Sequence, residues 1–166
     1  MYLGSVLKFV DRKHKRIPVK GICFDSRRIK KGDVFFAIDG TKTSGNKFIK
    51  EAILKGASAV VTSKKNNIKY QKINIVKVLN IRKSLSEACS NFYKKKSKSI
   101  IAVTGTNGKS SVVDFFSQIL KLNNLPVASI GTLGIITNNH KKKTNLTSID
   151  PLSLHKNLEI VANKKI

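Results

Sequence analysis

"SIIAVTGTNGKSS", residues 99–111, joins an unbroken apolar run to a turn holding two glycines, a lysine and a serine pair. The run is rich in β-branched residues, which predicts a strand buried on both faces of a parallel sheet. From Ser110 to Leu122, apolar residues recur at three- and four-residue steps. That spacing predicts a helix with Val112, Val113, Phe116, Ile119 and Leu120 on its buried side. A glycine-rich turn between a strand and a helix is the setting in which backbone amides cradle phosphate. Gly105 and Gly108 permit backbone angles and close approach that a side chain would block. The amides from Thr106 through Asn107 to Ser110 can then face an anion, helped by the positive end of the helix. In this reading Lys109 reaches the β- and γ-phosphates of a nucleotide as a mobile charge, Ser110 ligates Mg²⁺, and Ser111 supports the loop or a phosphate oxygen. The spacing departs from the general phosphate-loop pattern, which would need glycine where Val103 stands. The alternative is a polar turn that only caps a helix.

The rest of the chain reads outward from this turn. Its 166 residues suffice for one domain or two small ones. Strands are expected at 21–24, 34–38, 59–62 and 73–79. Helices are expected from Phe48 to a C-cap at Gly56, and from Ile81 to Phe92. These make a compact α/β unit, with a boundary at the lysine-rich stretch near residue 97. The second unit, 98–166, opens with the phosphate turn. A strand region follows at 126–136, then a polar loop at 137–145 and a helix capped by Asp150 with Pro151 at its first position. The fold class is therefore α/β: a small N-terminal α/β unit, 1–97, then the start of a doubly wound parallel sheet. Two strands and two helices cannot cover both faces of such a sheet. This suggests a truncated architecture, with residues 1–97 as the more stable half.

Lys+Arg 33 against Asp+Glu 9 gives a formal charge of +24. Such charge suits a solvated lysine coat, a cleft for an anionic small substrate, or a nucleic-acid surface. The lysine clusters are short, scattered and not interleaved with stacking aromatics, which disfavours nucleic acid. Cys23 and Cys89 match no metal spacing, and His14, His140 and His155 are scattered. No apolar run is long enough for a signal peptide or a membrane span, so a cytoplasmic protein is expected.

Three stretches carry a family resemblance. "VTGTNGKSS", 103–111, resembles the ATP loop of the Mur ligases and of their folate-ligase relative. "FDSRRIKKGDVFFAIDGTKTSGNKFIKEAILKGASAVV", 24–61, resembles the N-terminal domain with which Mur ligases hold a UDP-linked muramyl precursor. "LTSIDPLSLHKNL", 146–158, resembles the L-T-T-P-D-P-L-x-L-H pattern of the members that add the third peptide residue. The resemblance implies an ATP-dependent ligase of peptidoglycan synthesis. ATP phosphorylates the carboxylate of UDP-N-acetylmuramyl-dipeptide, and an amino acid's amine attacks the acyl phosphate. It implies ATP and Mg²⁺ at Gly105, Thr106, Asn107, Gly108, Lys109, Ser110 and Ser111. It places Ser26 on the uridine diphosphate, Thr41, Lys42 and Thr43 on the uracil and pyrophosphate, and Thr147 and Ser148 on the muramyl end. Ser148 stands for the family's second threonine and Ile149 for its proline. Further Mg²⁺ ligands, a carbamylated lysine and the amino-acid site would lie beyond Ile166. The chain alone is therefore expected not to complete ligation, and a separately encoded remainder of the ligase is an implied partner. A non-catalytic module binding a nucleotide or UDP-sugar and a basic nucleic-acid-binding protein are the alternatives.

Overall fold

The computed structural model describes residues 1–8, 10–40, 43–65, 73–138, 140–142 and 149–166. The chain divides into two compact units, Met1–Lys94 and Lys95–Ile166.

Four strands organise the first unit: β1 (Gly21–Cys23), β2 (Asp33–Phe36), β3 (Ala59–Ser63) and β4 (Asn74–Val78). They pair in the order β1-β2-β3-β4, all parallel. Cys23 lies opposite Phe35, and Phe35 opposite Val60. These three join Ala37, Ile29 and the α2 (Ile49–Leu54) residues Ile49 and Ala52 in one buried cluster. α2 thus covers one face of the sheet. Val34 and Phe36 alternate with Phe35 and point to the other face, where both are fully buried. The helix α3 (Ile81–Phe92) lies against β1 and β3 there, and α1 (Leu3–Val6) packs on α3. Both faces being covered explains why β2 reads as continuous apolar sequence. α3 starts where expected because the Asn80 side chain accepts a hydrogen bond from Lys83 N at 3.0 Å.

Parallel pairing puts the carboxyl ends of all four strands on one edge. Every loop that follows a strand leaves from that edge, and this is where ligands collect in open parallel sheets. The loop after β2 is tightly built. Asp39 Oδ1 accepts from Ser44 Oγ and from Gly45 N at 3.0 Å. A side chain at Gly45 would run into the backbone of Ala37 and Ile38. Behind it, the buried Thr62 Oγ1 donates to Asn46 Oδ1 at 3.1 Å.

The second unit contains α4 (Lys109–Leu122), β5 (Ala128–Gly131), β6 (Gly134–Thr137), β7 (Lys141–Lys142) and α5 (Pro151–Asn163). Here the structure corrects four expectations. Residues 99–103 form no ladder, and Ile100 and Ile101 are more than half exposed, at 54% and 65%. A parallel strand needs neighbours to accept its hydrogen bonds, and this segment has none among the described residues. The strands of this unit pair antiparallel, in the order β5-β6-β7. The apolar side of α4 is also mostly uncovered: Val112, Phe116 and Ile119 are all exposed, and in α4 only Ser117 is buried. Finally, the region read as one strand at 126–136 is a hairpin. Thr132 and Leu133 turn between β5 and β6, and Gly134 supplies the φ of +105° that the reversal requires. The α5 cap is as the sequence predicts. Asp150 Oδ1 accepts from Ser153 N at 2.8 Å, with Pro151 opening the helix.

Two histidines are expected to make the fold acid-sensitive. His155 Nδ1 is buried with no partner among the described residues. Burial, and then Lys96, hold the His155 pKa below its ordinary value. His14 in the first unit is lowered by burial and by Lys13. A lowered folded-state pKa means the unfolded chain binds more protons near pH 6.5, so stability rises with pH there. The stability is fully present above about pH 6.5 and is lost as the pH falls through the lowered values. The melting temperature is therefore expected to drop between pH 7.5 and pH 5.5, and to drop less in a His14→Gln/His155→Gln variant. An equal drop in the variant would remove the histidines as the cause.

Candidate functional site

The turn 105–108 feeds directly into α4, and Gly108 is its N-cap at φ 76°, ψ −6°. This left-handed conformation is open to glycine and strained for other residues, so the residue type and the backbone agree. No atom would meet a Cβ within 4 Å there, so the constraint is the dihedral angle rather than space. Lys109 and Ser110 occupy the first turn of the helix, and the whole stretch 104–110 is exposed. Lys109 folds back over the loop: its Nζ donates to Gly105 O and, at 3.0 Å, to Thr106 O. The ammonium is thus held against the carbonyls of the turn. Ser110 Oγ lies 3.2 Å from Thr132 Oγ1.

These groups border a cleft of about 210 Å³ whose lining includes Val103, Lys109, Ser110, Val113, Asp114 and Thr132. Its chemistry is one cation, one carboxylate, the three hydroxyls of Ser110, Ser129 and Thr132, helix-terminal amides and apolar side chains. Asp114 accepts from Gln118 Nε2 at 2.7 Å. Thr132 is the member that the sequence reading missed. It reaches Ser110 from 22 positions away in the chain, which no local sequence signal records.

In the first unit, Ser26 sits in a single helical turn, Ser26–Arg28, just past β1 on the carboxyl edge of the sheet. It is buried, at 5% exposure, and its Oγ donates to Glu51 Oε2 at 2.7 Å. Lys55 Nζ donates to Glu51 Oε1 at 2.7 Å and to Ser26 O at 2.9 Å. The bonds from Lys55 first, and then from Ser26, hold the Glu51 carboxyl below its ordinary pKa. Asp25 caps the turn by accepting from Arg27 N, and the Arg27 guanidinium lowers its pKa too. Thr43 closes the loop after β2, where its carbonyl accepts from Gly40 N at 2.9 Å. Arg82 Nη2 reaches the same loop at Asp39 O, 2.9 Å. The carboxyl edge thus gathers Ser26, Thr43 and Arg82. Thr41, Lys42, Thr147 and Ser148 lie outside the described residues. Among the described residues, no group of three or more His, Cys, Asp or Glu side chains could hold a metal. No described helix is long and apolar enough to cross a membrane.

Comparison with known proteins agrees with the two-part organisation. The family model described as Mur ligase family, catalytic domain, matches residues 18–93, and the Mur ligase middle domain matches residues 103–166. A UDP-N-acetylmuramoyl-L-alanyl-D-glutamate--2,6-diaminopimelate ligase from Rickettsia montanensis is 46% identical over 154 residues, covering 90% of this chain and 31% of the relative. The similarly named ligase from Mesorhizobium japonicum is 35% identical over 161 residues, covering 97% of this chain and 33% of its own. The chain spans about a third of the length of the curated relatives it matches. A solved structure of a ligase of that name superposes on 99% of this chain and 34% of its own, with a TM-score of 0.78 at 24% identity. The Thermotoga maritima MurF ligase, solved in complex with ADP, covers 64% of this chain with a TM-score of 0.50 at 24% identity. The two family models together span both units, and the α/β fold with its four-stranded parallel sheet is that of the same family: the chain belongs to the Mur ligases.

Proposed function

We propose that the chain is the substrate- and ATP-binding part of a ligase that adds the third amino acid to UDP-N-acetylmuramyl-L-alanyl-D-glutamate in peptidoglycan synthesis. The observation that carries this reading is the glycine turn at 105–108 leading into α4, with Lys109 and Ser110 in the first helical turn. The family membership and the names of the relatives supply the substrate class, and those names give 2,6-diaminopimelate as the third residue. Ligation is proposed for the whole protein, and ligand binding for the chain described here.

In this reading the second unit binds ATP. Amides of Gly105, Thr106, Asn107 and Gly108 face the phosphates, and those of Lys109, Ser110 and Ser111 add the positive end of α4. Lys109 moves its ammonium from the loop carbonyls onto the β- and γ-phosphates, where it offsets charge as the γ-phosphoryl leaves. The hydroxyl pair Ser110–Thr132 fits a hard cation that prefers oxygen ligands. Ser110 would hold Mg²⁺, whose chemistry there is to neutralise phosphate charge. The phosphoryl group passes to the substrate carboxylate, and the amine of the third residue displaces it from the acyl phosphate.

The first unit binds the UDP-muramyl end at the carboxyl edge of its sheet, through Ser26 after β1 and Thr41, Lys42 and Thr43 after β2. Thr147 and Ser148 hold the muramyl end in the second unit. A cytoplasmic location accords with soluble, nucleotide-linked substrates of this kind. Ser26→Ala is expected to weaken binding of UDP-N-acetylmuramyl-dipeptide about tenfold while leaving ATP binding unchanged, since one hydrogen bond to a charged or polar ligand group is worth about that much. Isothermal titration with both ligands checks this, and unchanged affinity for the muramyl ligand would remove Ser26 from the site.

A further inference from the structure

The reading of Ser26 leaves unexplained why a buried hydroxyl offered to a ligand already has a carboxylate and a lysine built around it. Resting on that reading, we propose that Glu51, held by Lys55, is a positioning residue for Ser26 that fixes its hydroxyl as a hydrogen-bond acceptor toward the bound nucleotide.

Glu51 Oε1 receives the Lys55 ammonium at 2.7 Å, and Glu51 Oε2 lies 2.7 Å from Ser26 Oγ. An ionised carboxylate has only lone pairs to offer, so the proton on the second bond belongs to the serine. Lys55 also donates to Ser26 O at 2.9 Å, which ties the serine's main chain to the same cation. Ser26 is therefore held at its side chain by Glu51 and at its carbonyl by Lys55. Glu51 and Lys55 stand four residues apart, so one turn of α2 carries both. The lowered Glu51 pKa keeps the carboxylate ionised across the neutral range.

A serine whose single proton is committed to a carboxylate presents only lone pairs to its ligand. Diphosphate oxygens are acceptors as well, and two acceptors in contact repel. The ligand group that meets Ser26 must therefore be a donor. In a uridine nucleotide the donors are the imide N–H of the base and the ribose hydroxyls. Ser26 then reads the nucleoside, and the diphosphate charge falls to amides and cations elsewhere on the edge.

The test is isothermal titration of the full 166-residue chain, unsubstituted and as Ser26→Ala, Glu51→Gln and the double variant. The probes are UDP-N-acetylmuramyl-dipeptide, UDP, 3-methyl-UDP and 2′,3′-dideoxy-UDP. Glu51 is partly exposed, with 39% of its side chain accessible, and far-UV circular dichroism with thermal melts checks that each variant folds. Lys55→Met, which frees the carboxylate without changing it, serves as a second probe of the same relay. The proposal expects Ser26→Ala and Glu51→Gln each to weaken the muramyl ligand about tenfold. It expects the double variant to be no weaker than either single variant, because Glu51 acts only through Ser26. Lys55→Met is expected to lose affinity in the unsubstituted background and nothing further beside Ser26→Ala. One of the two UDP analogues is expected to lose affinity relative to UDP, and to regain parity with UDP in Ser26→Ala. The 3-methyl analogue would identify the base as the donor, and the 2′,3′-dideoxy analogue the ribose. Additive losses in the double variant would overturn the relay while leaving Ser26 in the site. Analogues that both bind like UDP would overturn the acceptor role. Failure of the unsubstituted, folded chain to bind the muramyl ligand would overturn the reading of the site and the relay with it.

Discussion

Lys109→Ala is expected to weaken binding of Mg²⁺–ATP by the chain about 10- to 150-fold, with little change in melting temperature. The magnitude follows from loss of a hydrogen bond to a charged group, worth about 1.5–3 kcal/mol. The direction follows from where the ammonium now sits. Lys109 Nζ is hydrogen-bonded to Gly105 O and Thr106 O, so it is held against the turn before any nucleotide arrives. Its two carbonyl partners belong to an exposed loop. Their hydrogen bonds can be replaced by water when the ammonium moves to phosphate, so the exchange has little to oppose it. Lys109→Arg is expected to recover only part of the loss, because a planar guanidinium cannot follow a point-charge position inside a tight turn. Titration with a fluorescent ATP analogue reads both variants. Equal affinity in Lys109→Ala and the unsubstituted chain would mean that the turn is only a helix cap.

Phe35→Ala is expected to be the most damaging single change to stability, at about 3–5 kcal/mol. Phe35 is 1% exposed, lies between Cys23 and Val60 in register, and belongs to the cluster with Ile49 and Ala52. Truncation leaves a cavity in the middle of β2, which is covered on both faces and has little room to collapse. Whole domains are stable by only about 5–15 kcal/mol, so a large share of the first unit's margin would go. Because β2 also launches the Asp39–Gly45 loop, loss of UDP-ligand binding should accompany unfolding in urea. A midpoint within experimental error of the unsubstituted chain would contradict the placement of the core at Phe35.

The first unit was legible in the sequence because its elements close on one another. Residues 34–38 read as a strand since both faces of β2 are covered, and Ile81 to Phe92 read as a helix since its apolar stripe packs inward. The sequence said nothing usable about the N-terminal eighteen residues. Leu3 and Val6 are buried, but the α1 turn is four residues long and shows no periodicity. In the second unit, local signals were read well and long-range ones badly. Gly108 as the turn's left-handed residue, the α4 limits and the Asp150 cap all depend on neighbours within a few positions. The strand over 99–103 and the buried side of α4 depend instead on a covering layer. Ile100, Phe116 and Ile119 are apolar at the right spacing yet face solvent, because periodicity records which side should be covered and not whether anything covers it. The β5–β6 reversal was missed because β-branched residues flank Gly131 and Gly134 and the run looks continuous. At the candidate site the loop residues were visible as a motif. Thr132 and Glu51 were not, since each reaches its partner, Ser110 or Ser26, across more than twenty positions of chain.

The most direct test of the account is isothermal titration of the folded chain with UDP-N-acetylmuramyl-L-alanyl-D-glutamate at two salt concentrations. A built site on the carboxyl edge of the sheet predicts saturable, one-to-one binding whose affinity changes little between about 50 and 200 mM salt. Binding that is not saturable, or that falls by orders of magnitude over that range, is the behaviour of a lysine coat meeting any polyanion. That result, or no binding at all, would contradict the assignment of the first unit as a UDP-muramyl-peptide site.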